Sequence, residues 1–214
     1  MAERNHPALI LRHPTRDRVL HWLLVIAFLF VAASGLALFH PSLFWLTNLT
    51  GGGPWTTILH PFIGLVMVVT FIWFAAPKWR VNQLTASDYA WLKGFRYVLS
   101  GEEEKLPEVG EYNAGQKVLY FTLMACVLLL AVTGFVIWRR YFAGNFSVRV
   151  VRLGALVHAF VAFVLLVSIV VHISAAVWEK GSITSMVRGT VTPGWAYKHR
   201  RAWFRDMIRP GAGH

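Results

Sequence analysis

From Val19 to Pro77 the chain carries no Asp, Glu, Lys or Arg, and the same holds from Val118 to Trp138 and from Leu153 to Trp178. A soluble fold must wet its surface, and draws about a quarter of its residues from those four types. Here they make up 14% of 214 residues, while 56% are hydrophobic. Stretches this long without charge belong in the hydrocarbon core of a bilayer, which a helix crosses in about 20 apolar residues. Four segments reach that length: 19–39, 56–76, 117–138 and 153–178. Their apolar runs are continuous and do not alternate at period two, which argues against the half-polar strands of a membrane β-barrel. The expected fold is all-α, a four-helix transmembrane bundle forming a single domain over residues 1–214, with a tail at 179–214.

The first segment follows arginines and contains Ala32, Ala33, Ser34 and Gly35, as a cleaved secretory leader would. Its apolar run exceeds the roughly 7–15 residues of a leader core, so it is read as a retained helix. Alternate segments carry 17 Lys and Arg on one side against 4 on the other. The positive-inside rule then places both termini and the loop between the second and third spans in the cytoplasm. Tryptophans 22, 45, 55, 79, 138, 178 and 195 cluster near segment ends, where indoles settle at the membrane boundary. Within the cytoplasmic loop, Trp91, Leu92, Phe95, Val98 and Leu99 share one helical face opposite Lys93 and Arg96. This predicts an amphipathic helix along the membrane surface, capped by Ser87 or Asp88 and ended by Gly101. The tail is broken at Gly181 and at Pro193-Gly194, and no internal repeat stands out.

Cys126 is the one cysteine, which excludes a disulfide framework, a Cys-ligated iron–sulfur cluster and covalent c-type haem within the chain; it is read as a small buried apolar residue. The net charge of +11 flanks apolar segments and accompanies no nucleic-acid-binding motif, so it reports topology and no nucleic-acid partner is expected.

Ionisable residues inside spans are costly and point to function. Here all of them are histidines: His21 in the first span, His60 in the second, His158 and His172 in the fourth. No acid or lysine accompanies them, which argues against an ion-coupled pump, whereas neutral imidazole is a good ligand for haem iron. His158 and His172 lie 14 residues apart, which on a helix means about 21 Å along the axis and about 40° around it. They therefore share a face at two depths. The alternating topology puts His21 level with His172 at the cytoplasmic side, and His60 level with His158 at the exterior side. Two stacked bis-histidine sites follow, with Gly35, Gly64 and Gly134 leaving room for a macrocycle or a neighbouring helix. Two axial imidazoles close the coordination sphere, a design for carrying electrons. His40, His6, His13, His199 and His214 are read as solvated.

The strings His21-Trp22, ILHPFIG around His60, YNAGQK from Tyr112 to Lys117, GFVIWRRYFAG from Gly134 to Gly144, LVHAF around His158, VVHISAAVW around His172, KGSI from Lys180 and WAYKHRRAWFRD from Trp195 span most of the chain. Together they resemble the cytochrome b (gamma) subunits of respiratory formate dehydrogenases, within the wider bacterial di-haem cytochrome b family that includes the membrane subunits of nickel–iron hydrogenases. The resemblance implies two non-covalent haem b groups, the cytoplasmic one on His21 and His172 and the exterior one on His60 and His158. It implies electrons arriving from an exterior iron–sulfur beta subunit, whose alpha partner oxidises formate at molybdenum or tungsten, and leaving to quinone in the bacterial inner membrane during anaerobic respiration. No formate-oxidising residues are expected in this chain. Carried over by motif, the quinone site comprises Asn113, Gly115 and His172; Asn113 also suits the N-cap of the third span. The chain departs from the family pattern at Arg140, usually Pro, at Glu179-Lys180, and at Arg200, usually a second histidine. The rival readings are a hydrogenase or other iron–sulfur dehydrogenase as donor, and a haem-free membrane anchor.

Overall fold

The computed structural model describes residues 9–208. In chain order its elements are β1 (Ile10–Leu11), α1 (Thr15–Phe39), α2 (Gly53–Ala75), α3 (Ala86–Lys93), α4 (Arg96–Leu99), α5 (Ala114–Ile137), α6 (Val148–Trp178), α7 (Ser182–Arg188), β2 (Thr190–Val191), α8 (Pro193–His199) and α9 (Arg201–Ile208). Four of these, α1, α2, α5 and α6, are long and apolar enough to cross a bilayer, so the chain is an integral membrane protein with the expected all-helical spans. Each begins three to five residues before its hydropathy boundary, because a first turn at the headgroups tolerates the polar residues that a hydropathy window rejects. The chain divides into two units: residues 9–18, Lys78–Tyr120 and 174–208 form a polar unit, and Val19–Pro77 with Phe121–Ile173 forms a membrane unit.

In the membrane unit, Ala27, Met67 and Val127 make one buried cluster, and Cys126, Val161 and Leu165 a second, with Phe28 packed against both. Cys126 is thus the buried apolar residue expected of it. Between α1 and α2 the charge-free sequence does not stay extended. His40 takes a β conformation, accepts a hydrogen bond from the Ser42 N–H at 3.2 Å through Nδ1, and opens a 3₁₀ helix over Pro41–Thr50. Gly51 and Gly52, at φ 88° and 96°, turn the chain into α2, where Pro54 in the first turn lacks an N–H that would have no partner. Thr56, fully buried, locks that turn by donating to the Gly52 carbonyl at 2.9 Å.

In the polar unit, β1 pairs antiparallel with β2, Ile10 opposite Val191, and the Arg12 and His13 N–H groups both donate to the Gly189 carbonyl, at 2.8 and 3.0 Å. This stitches the N-terminal segment to the tail. The tail breaks where expected, at Gly181 (φ 94°) and before Pro193. The loop after α2 corrects the sequence reading, since the single amphipathic helix is two, α3 and α4. Gly94 separates them as the C-cap of α3, at φ −89° and ψ 11°, its N–H closing the last turn on the Ala90 carbonyl. Neither Ser87 nor Asp88 caps α3. Thr85 does, and Asp88 is its capping-box partner, accepting from the Thr85 N–H at 2.8 Å; the reciprocal bonds require the acid three residues inside the helix. Trp91 is buried while Phe95 and Leu99 are exposed.

Candidate functional site

The membrane unit brings the four span histidines together in the two expected pairs. The rings of His60 on α2 and His158 on α6 have centroids 6.4 Å apart at 67°. Those of His21 on α1 and His172 on α6 are also 6.4 Å apart, at 55°. An imidazole nitrogen binds a first-row metal at about 2 Å with its ring centre about 1 Å further, so two imidazoles on one iron stand about 6 Å apart. Both pairs have that separation, and both lie along α6, which carries one histidine of each. The donor set therefore fits a six-coordinate iron with its macrocycle between each pair. One turn beyond His60, Gly64 borders open space, as a broad planar group beside His60 requires.

The support of the two pairs differs. Ser34 Oγ donates to the Phe30 carbonyl at 2.6 Å and lies 2.8 Å from His60 Nδ1. Thr133 Oγ1 donates to the Leu129 carbonyl at 2.7 Å and lies 2.9 Å from His158 Nδ1. Each hydroxyl donates its own proton to a carbonyl and so can accept from Nδ1–H, the tautomer that leaves Nε2 free to ligate. The residue after each hydroxyl is glycine, and a Cβ on Gly35 or Gly134 would meet the histidine Cε1 at 3.2 or 3.4 Å. Sequence reasoning missed both hydroxyls. The signal was present as a repeated pair, Ser34-Gly35 and Thr133-Gly134, each on the span preceding its histidine. His21 has no such support: its Nδ1 is buried without a hydrogen-bond partner, and Trp22 and Phe74 pack near its ring at centroid distances of 5.4 and 6.3 Å.

Of the histidines read as solvated, His40 is exposed and caps the 3₁₀ helix. His13 and His199 are half-buried, which corrects their reading. Glu179 stands 4.0 Å from the His199 Nδ1, and the Trp195 ring packs beside it, tilted by 40°. His6 and His214 lie outside the described residues.

Asn113 and Gly115 belong to the polar unit, whereas His172 belongs to the membrane unit. Asn113 caps α5: its Oδ1 accepts from the Gln116 N–H at 2.8 Å, and its own N–H donates to Gln116 Oε1 at 3.0 Å. The amide Nδ2–H₂ is left to donate elsewhere. Gly115 lies against the Trp91 ring, 3.6 Å from where a Cβ would stand. Gln116 Oε1 also accepts from Arg200 at 3.3 Å, and Arg200 pairs with Glu179 at 3.0 Å. Two of the departures from the family pattern, at Glu179 and Arg200, therefore pair with each other. Nearby, burial lowers the Arg12 pKa, with the Arg200 charge adding to the effect. Burial pushes the Tyr112 phenol up, and the Glu111 carboxylate pushes the same way.

Comparison with known proteins places this arrangement. Over 199 residues, 93% of this chain and 84% of the relative, it is 42% identical to a protein of Haemophilus influenzae named formate dehydrogenase, cytochrome b556 subunit. It is 40% identical to the formate dehydrogenase cytochrome b556(fdo) subunit of Escherichia coli K12, covering 92% of this chain and 93% of that one. The nitrate-inducible cytochrome b556(Fdn) subunit of the same organism is also 40% identical, over 95% and 94%. The pattern of prokaryotic cytochrome b561 matches residues 12–189, a stretch that contains all four paired histidines, and the chain belongs to that family of haem b membrane proteins.

Proposed function

We propose that this chain is the di-haem cytochrome b subunit of a formate dehydrogenase complex, carrying electrons from an exterior iron–sulfur subunit across the inner membrane to quinone. The observation that carries this reading is the pair of 6.4 Å imidazole separations at two depths of one helix. Haem b closed by two imidazoles supplies one-electron carriage without an open coordination position. His60 and His158 would hold the exterior group, their Nδ1 atoms fixed by Ser34 and Thr133, and His21 and His172 the cytoplasmic one. The spans exclude water around both pairs, which favours electron movement between fixed ligands over side chemistry with solvent. The relatives named above carry formate dehydrogenase names, which favours that donor over a hydrogenase. Its iron–sulfur subunit and a molybdenum- or tungsten-bearing catalytic subunit are the partners this implies. The family resemblance assigns quinone to Asn113, Gly115 and His172, and of these Asn113 keeps an amide Nδ2–H₂ that can donate to a quinone carbonyl. Oxidation outside and proton uptake inside would separate charge without a pump.

The test is haem stoichiometry by the pyridine haemochrome method on the purified chain. Two b-type haems per chain are expected, and one remaining, at the exterior pair, in His172→Ala. A folded chain that takes up no haem would make it an anchor and overturn the proposal.

A further inference from the structure

Lys117 stands one turn beyond Asn113 on α5. Its ammonium donates to Asp88 Oδ2 at 2.8 Å and to the Gln83 carbonyl at 3.1 Å, with the side chains only 11% and 9% exposed. A buried ion pair is a poor stabiliser, since desolvation offsets most of the Coulomb gain. The capping of α3 does not require it either, because Asp88 already accepts from the Thr85 N–H and hydroxyl. What the pair does have is access. A cavity of about 250 Å³ is lined by Asp88, Lys117, Asn113, Tyr112, Trp91 and Glu108, large enough for several waters. Glu108 is exposed and pairs with Arg205, so the cavity joins a charged surface to the buried pair, and Asn113 is on its wall.

We infer that Lys117, held by Asp88, is the proton donor to quinone bound at Asn113, and that the cavity is its water inlet. The inference rests on the quinone reading above. Quinone takes two electrons and two protons to become quinol. In each of two rounds one Lys117 N–H bond breaks and one quinone O–H bond forms, directly or across one water. The amine left beside the Asp88 carboxylate then recovers a proton from cavity water, which bulk water replenishes, so the chain ends unchanged. The two electrons come from the donor side of the complex. Lys117 is the only cation lining the cavity among the described residues, and Asp88 and Glu108 are the acids that line it, the first paired with Lys117 and the second with Arg205. Tyr112 stays protonated, its phenol pushed up by burial and by Glu111. Burial opposes ionisation of Asp88, but hydrogen bonds from Lys117 and Thr85 outweigh it and hold the carboxyl below its ordinary range. Asp88 is therefore the anchor and Lys117 the carrier.

The experiment uses the full haem-loaded chain in detergent, reduced with stoichiometric dithionite and mixed with menadione in H₂O and D₂O, following haem oxidation optically. Wild type should show a solvent isotope effect of about twofold or more on the saturating rate. Lys117→Gln and Asp88→Asn should lower that rate by about a hundredfold while the half-saturating menadione concentration stays within about twofold, and Asp88→Glu should restore most of it. Unchanged saturating rates overturn the inference, as does a rise in half-saturation alone, which would make the pair a positioning device. Should a variant lose its haem, the wild-type isotope effect decides, and its absence is equally fatal. If menadione does not oxidise the wild-type haem at all, the quinone reading itself falls.

Discussion

His60 and His158 each meet a hydroxyl from the span before their own, and each hydroxyl is followed by a glycine whose missing Cβ admits the ring. Bonds of this kind fix a ligand's tautomer and raise its basicity, and losing one weakens metal retention by about ten- to a hundredfold. Ser34→Ala and Thr133→Ala should therefore loosen haem at this pair by that factor and leave the His21–His172 pair as it was. Transfer of haem to an apo-globin measures this, with His172→Ala isolating the His60–His158 pair and His158→Ala the other; equal loss from both pairs would refute it. Gly35→Ala should disturb its site more than Gly134→Ala, since the new Cβ would stand 3.2 Å from a ring carbon against 3.4 Å. The four histidines were legible in the sequence because an ionisable residue in a span stands out against its neighbours. Ser34 and Thr133 were not, because a hydroxyl in a span usually returns its proton to a carbonyl one turn back, as both of these also do.

Elements differ in how far the sequence announces them. The spans announce themselves by unbroken apolar length. The pairing of β1 with β2 does not, since two-residue strands leave no periodicity and are fixed by partners far away in the chain. The break of α3 from α4 falls at Gly94, the C-cap of α3, a single glycine inside an apolar pattern that continues on its far side and so reads as one amphipathic helix. Gly189 is where the β pairing is decided. At φ 86°, with a Cβ that would stand 2.9 Å from the His13 carbonyl oxygen, it admits no other residue without strain and a backbone clash. Gly189→Ala should cost about 1–3 kcal/mol locally and free the segment before α1 from the tail. Limited proteolysis should then cut near Arg12 and Arg188 sooner than in wild type while haem content holds; unchanged cutting would show that the pairing does not secure these segments. Thr85→Ala, which removes a side-chain cap, should cost about 1 kcal/mol and lower the thermal midpoint in detergent by a few degrees.

At the scale of the molecule, the direction of the spans decides what the two histidine pairs accomplish. If the pairs hold haem as proposed, transfer between them, about 21 Å apart on α6, would move one charge across about two-thirds of the hydrocarbon, which at about 2.3 kcal/mol per charge per 100 mV would cost roughly 1.5 kcal/mol for each 100 mV of inside-negative potential. That work is conserved only if the His60–His158 pair faces outward, the orientation that the 17 to 4 imbalance of Lys and Arg predicts by the positive-inside rule. Cysteine labelling tests this with little background, because the one native thiol, Cys126, is 5% exposed in the interior of α5. Ser42, in the 3₁₀ helix between α1 and α2, and Ser100, after α4, are both exposed. A membrane-impermeant maleimide added to intact spheroplasts should label Ser42→Cys and spare Ser100→Cys, and inverted vesicles should give the opposite pattern. If Ser100→Cys is the one labelled from outside, the donor and acceptor faces exchange places. The proton inlet at Lys117 would then open to the exterior, and quinone reduction would no longer store the charge that the stacked pairs are placed to separate.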